Sequence, residues 1–79
     1  MTTWRKELEA VDAFPLVGCT LTEAELDVEF DGGYGCREGS IFTAWSATRV
    51  FFPVSYDGSE WVGSAPRDPC DESTEHQGG

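Results

Sequence analysis

The chain has 79 residues, room for one small domain, and its fifteen acids against five bases give a formal net charge of −10. A field of that sign repels nucleic acid and anionic membranes and favours basic partners, which sets aside direct nucleic-acid binding and membrane-surface roles. No apolar run approaches the roughly 18 residues of a transmembrane helix, and ten aromatic side chains (three Trp, two Tyr, five Phe) argue against a wholly disordered chain.

In chain order, Thr2 or Thr3 can cap a short helix from about Trp4 to Ala13, with Trp4, Leu8 and Val11 on one apolar stripe. Pro15 stops it, and Phe14 packs at the exit. Leu16 to Thr20 reads as a first extended piece, in which Gly18 marks a bulge or bend. From Glu23 to Asp31 apolar and acidic residues alternate without a break, which predicts a strand. Ala24, Leu26, Val28 and Phe30 then face the core, and Glu23, Glu25, Asp27, Glu29 and Asp31 face water. A helix opening at Thr22, with Glu25 closing a capping box, is the competing reading, but Val28 and Phe30 keep a period of two.

Asp31-Gly32-Gly33-Tyr34-Gly35 reads as a turn or mobile loop. Ser40 to Ser46 reads as a strand with Ile41, Thr43 and Trp45 on one face and Phe42 and Ala44 on the other. Arg49 to Tyr56 is a further strand, with Val50, Phe52, Val54 and Tyr56 on one face. Pro53 puts it at an edge or at a bulge. Asp57-Gly58 signals a two-residue hairpin, after which Ser59 to Ser64 returns. The expected fold is α+β: a short N-terminal helix packed on a three- to five-stranded antiparallel meander, in one domain over residues 1–65. Residues 66–79 hold almost nothing to bury and read as a flexible acidic tail.

The charge is uneven. Residues 1–40 hold nine acids and three bases, residues 41–67 balance, and residues 68–79 add Asp68, Asp71, Glu72 and Glu75 with no base. As a strand, the five acids of 23–31 would stand about 6.6 to 6.8 Å apart in a row about 27 Å long. Duplex DNA offers one charge per roughly 3.4 Å on each strand, so such a row supplies about half the density. Glu7, Glu9 and Asp12 on the helix, or the tail, would fill in. The pattern therefore fits mimicry of a phosphate backbone. A solvated face that discourages edge pairing, or a solubilising coat, is the plain alternative. A repeating row gives each acid a similar setting, which does not suit general acid–base catalysis, and a straight row does not wrap a calcium ion.

Cys19, Cys36, Cys70 and His76 match a three-cysteine, one-histidine zinc site in number only. Their spacings of sixteen, thirty-three and five intervening residues contain no C-x2-C knuckle. With no secretory signal at Met1 to Glu7, the cysteines read as reduced thiols, small apolar groups rather than ligands or nucleophiles. Neither a cofactor nor a metal is expected, and no enzymatic constellation is present.

In size and charge the chain resembles the phage-encoded inhibitors of bacterial defence, which include anti-CRISPR proteins and anti-restriction DNA mimics. That resemblance implies a stoichiometric inhibitor acting in the cytoplasm of a bacterial host cell. Its partner would be a basic nucleic-acid-binding protein, a CRISPR effector or a nuclease. Glu23, Glu25, Asp27, Glu29 and Asp31 would make the contacts, supported by Glu7, Glu9 and Asp12, through salt bridges to Arg and Lys. The alternative is a small accessory module or homodimer that binds through an aromatic sheet surface: Trp45, Phe51, Phe52, Tyr56 and Trp61 are dense, one helix covers only one sheet face, and some of Phe42, Phe51 and Trp61 would stay exposed as the patch.

Overall fold

The structure, a computed structural model, describes residues 2–30, 39–56 and 59–77. It is an α+β fold in which a short N-terminal helix packs on an open four-stranded antiparallel sheet of order β1-β2-β3-β4. Helix α1 spans Trp4–Ala10, and the Thr3 hydroxyl caps it by accepting the Lys6 amide. The helix ends three residues earlier than the sequence suggests. Asp12 takes a left-handed conformation (φ 55°), which a short polar side chain tolerates, and turns the chain away. Val11 is consequently the C-cap and stands 43% exposed, so the apolar stripe narrows to Trp4 and Leu8.

The sheet is uneven. β1 (Gly18–Cys19) and β2 (Ala44–Trp45) are two-residue pairs, whereas β3 (Arg49–Tyr56) and β4 (Ser59–Pro66) run side by side in register from Arg49↔Pro66 to Tyr56↔Ser59. That register leaves two residues for the connection. Asp57 and Gly58 themselves lie outside the described residues, as does the 31–35 turn. The Ser40–Ser46 strand shrinks to β2, yet its alternation holds: Phe42 and Ala44 are buried, and Ile41 is 88% exposed.

Pro53 lies on β3, between β2 and β4 and not at the sheet's edge. β2 pairs only with Val50 and Phe51, so Pro53 sits where β3 has no neighbour on that side. The missing N–H is tolerated there for the same reason that an edge tolerates it.

One face of the sheet carries the core. Trp4 and Leu8 from α1 pack with Ala13, Leu26, Phe30, Phe42, Ala44, Phe51 and Val62. The Trp4 ring lies 4.6 Å from Phe30 and 4.9 Å from Phe42 in tilted geometry, and its indole N–H donates to the Ser40 carbonyl at 3.0 Å. Residues 67–77 form no helix or strand and are exposed.

The acidic helix face and its arginine

The stretch expected to form an acidic strand folds as a helix. Glu23–Leu26 is α2. Thr22 accepts the Glu25 amide through its hydroxyl, and the Glu25 carboxylate accepts the Thr22 amide at 2.8 Å, a complete capping box. The correction has a local cause. Two reciprocal hydrogen bonds satisfy two of the helix start's free amides, and Leu26 alone supplies the buried anchor. Ala24 is exposed and Val28 is 61% exposed, so the expected core face of a strand exists only at Leu26 and Phe30. Period two survives at Phe30, which exchanges backbone hydrogen bonds with Thr2 at 2.8 and 2.9 Å in an isolated bridge.

Folding as a helix rearranges the acids. Glu23 and Asp27 are four residues apart and share one side of a helical turn. Arg5, reaching across from α1, donates its Nε to Asp27 at 2.6 Å and an Nη to Glu23 at 2.5 Å. The same nitrogen also donates to the Glu23 backbone carbonyl at 3.3 Å. Asp27 foremost, then Glu23, push the Arg5 guanidinium above its ordinary value, so it stays charged wherever the fold survives. One cation thus bridges two acids and ties α1 to α2.

The remaining acids divide by setting. Glu25 is committed to the capping box at the exposed start of α2. Glu7 accepts the Thr2 hydroxyl at 2.7 Å and is half-buried. Glu9 and Asp12 at the end of α1, and Glu29 after α2, are exposed. Among the described residues no salt bridge reaches Glu9, Asp12, Glu25 or Glu29. Asp31 lies outside the described residues. The arginines are differently occupied: Arg49 is held by Glu72 and Ser64, and Arg67 donates to the Ser46 carbonyl at 2.8 Å. Lys6 is exposed.

The sequence reading missed Arg5 as an organiser. Its signal was present: one arginine on a short helix, and two acids at a four-residue spacing that only a helix brings together. The reading also missed Glu60, a buried carboxylate on β4 whose two oxygens accept the Gly39 amide at 3.2 Å and help to hold that segment against Trp4. Of the thiols, Cys19 is half-buried against the core and Cys70 is exposed, while Cys36 lies outside the described residues. Among the described residues no three His, Cys, Asp or Glu side chains group as metal ligands, and no helix is long and apolar enough to cross a membrane.

No family model matches the chain, and neither a curated protein nor a solved structure matches it.

Proposed function

We propose that this protein is a non-enzymatic acidic binder that occupies a basic, nucleic-acid-binding surface on a partner protein, in the manner of a DNA mimic. A bacterial nuclease or CRISPR effector is the partner class, and the bacterial cytoplasm is the place of action. One observation carries the reading. Three of the described cations, Arg5, Arg49 and Arg67, are turned to partners within the fold, while Glu9, Asp12, Glu25 and Glu29 present unneutralised charge to solvent. The domain thus meets its surroundings as an anion with little compensating charge around α1 and α2. The contact set narrows accordingly. Glu9, Asp12, Glu25 and Glu29 lead, Glu7 supports, and Glu23 and Asp27 contribute only what Arg5 leaves uncancelled.

The test is capture from a bacterial lysate at low and high salt, followed by competition with duplex DNA. The wild type runs beside a variant carrying Glu9→Gln, Asp12→Asn, Glu25→Gln and Glu29→Gln. These swaps keep shape, the left-handed residue and the cap while removing four charges. The reading expects a DNA-binding protein captured at low salt, lost at high salt and in the variant, and displaced by DNA. A partner held equally by both proteins at both salts sinks it.

A second reading rests on a separate observation. Trp45, Phe52 and Trp61 are half-buried and Tyr56 is exposed on the side of the sheet away from the helices. An accessory module binding through that surface would respond weakly to salt.

A further inference from the structure

The sheet has two apolar faces, and the helices cover only one. Phe51, Ala44 and Val62 point to the helix side. The strand alternation and register place Trp45, Val50, Phe52, Val54 and Trp61 together on the other. Val54 is nevertheless 7% exposed, although it stands outside the helix-side core. Gly63 shows what lies over this face. A Cβ there would stand 2.7 Å from side-chain carbons of both Phe52 and Val54, and 3.2 Å from the carboxamide oxygen of Gln77. The C-terminal segment therefore reaches the outer face beside Gly63 through Gln77.

That segment is also fixed upstream. Both terminal nitrogens of Arg49 donate to the two carboxylate oxygens of Glu72, at 3.2 and 3.1 Å, in a bidentate clasp. The Arg49 guanidinium also donates twice to the Ser64 hydroxyl, at 3.2 and 3.1 Å. Register puts Arg49 and Ser64 on the helix side and Gly63 on the outer side. Ser64 and Gly63 are adjacent on β4, the last strand of the sheet. The few residues from Glu72 to Gln77 thus pass from one side of β4 to the other, round its free edge. β4 itself carries one charge, the buried Glu60, and ends at Pro66, and no charged side chain points outward from it.

We propose that the outer sheet face around Gly63 is a docking site whose occupant is the chain's own C-terminal segment, residues 68–77, carried round the edge of β4 by the Arg49–Glu72 clasp. The segment shields the aromatic face and blunts the edge strand, and it holds Asp68, Asp71 and Glu75 near the sheet instead of trailing them in solvent. This stands apart from the charge-based function and survives if that reading fails.

Tryptophan is the reporter. Trp45 and Trp61 lie on the outer face, and Trp4 is sealed in the core as an internal reference. The comparison is between the full chain, a chain ending at Arg67, and full-length Glu72→Gln. Acrylamide quenching and the indole N–H resonances are read at low and high salt. The proposal expects truncation to raise quenching of Trp45 and Trp61 several-fold, with Trp61→Phe removing much of the gain. Glu72→Gln is expected to move the Trp61 resonance part of the way, with Trp4 unmoved. Should the truncated chain fail to fold, the Glu72→Gln spectra in the intact chain decide. A truncated chain that dimerises while the full chain stays monomeric also supports the proposal, because the freed face has found a second copy. Unchanged quenching and unchanged Trp45 and Trp61 resonances overturn it. So does an intact chain that is already a dimer with both tryptophans protected.

Discussion

The pair Thr22→Ala and Val28→Thr separates a helical acidic segment from a strand, and with it two arrangements of the acids. In the structure Thr22 caps α2 and its hydroxyl accepts the Glu25 amide at 3.2 Å. Removing a cap of this kind costs about 1 kcal/mol, within a range of about 0.5 to 2. A domain of this length loses about 4 to 8 °C of melting temperature per kcal/mol, so the variant should melt about 4 to 8 °C below the wild type. Val28 is 61% exposed, so exchanging a methyl for a hydroxyl there should change stability by less than about 0.5 kcal/mol. A strand reverses both expectations. Thr22 would then cap nothing, and Val28 would lie on the buried face, where an unpartnered hydroxyl costs about 1 to 3 kcal/mol. Thermal unfolding followed by circular dichroism reads both variants. A neutral Thr22→Ala together with a damaging Val28→Thr would refute the helical assignment, and with it the Arg5 bridge that depends on it.

Two further predictions test the packing and charge of α1. Leu8 is fully buried, so Leu8→Ala should cost about 2 to 5 kcal/mol, a large part of the stability of so small a domain. Val11→Ala, on the same sequence stripe but at the exposed C-cap, should stay within about 0.5 kcal/mol, and denaturant titration of both tests the early helix end. Arg5→Gln removes the cation between Glu23 and Asp27, so its melting temperature should fall most at low salt and recover toward the wild type as salt screens the freed acids. An equal deficit at low and high salt would mean that Arg5 acts by packing alone.

Much of the fold was legible because its signals were local and agreed with one another. Arg49–Tyr56 alternates, Asp57-Gly58 follows at hairpin spacing, and Ser59 onward pairs back residue for residue, so β3 and β4 followed from the sequence. The short elements were harder. β1 and β2 pair two residues each, and their extent is set by where Val17, Thr20 and Thr43 find backbone partners across the sheet, not by local pattern. Glu23–Asp31 was misread because its alternation and its capping box compete over the same residues. The pattern weighs nine residues, while the cap weighs two hydrogen bonds at one end. The cap prevailed because Thr2 takes up Phe30 by itself, and Leu26 needs only one turn of helix to reach the core. Neither contact can be read from residues 23–31 alone.

The helical turn at Glu23–Leu26 changes what an acidic surface means in this chain. A strand would have set the acids in a line, each about 6.6 to 6.8 Å from the next, like phosphates along a single groove wall. A one-turn helix advances only about 1.5 Å per residue and turns about 100° each time, so it scatters the same side chains around an axis. Two of them, Glu23 and Asp27, then fall close enough to be spanned by one guanidinium. The acids that no salt bridge reaches are then spread over three places, the end of α1, the first turn of α2 and the residue before Phe30, and not along one line. Under the charge-based reading proposed above, a scattered set suits a basic pocket or the mouth of a cleft better than a long groove. Restoring any one of Glu9, Asp12, Glu25 or Glu29 in the neutralised variant should therefore recover binding unequally, and equal recovery from all four would mean that net charge alone sets the affinity.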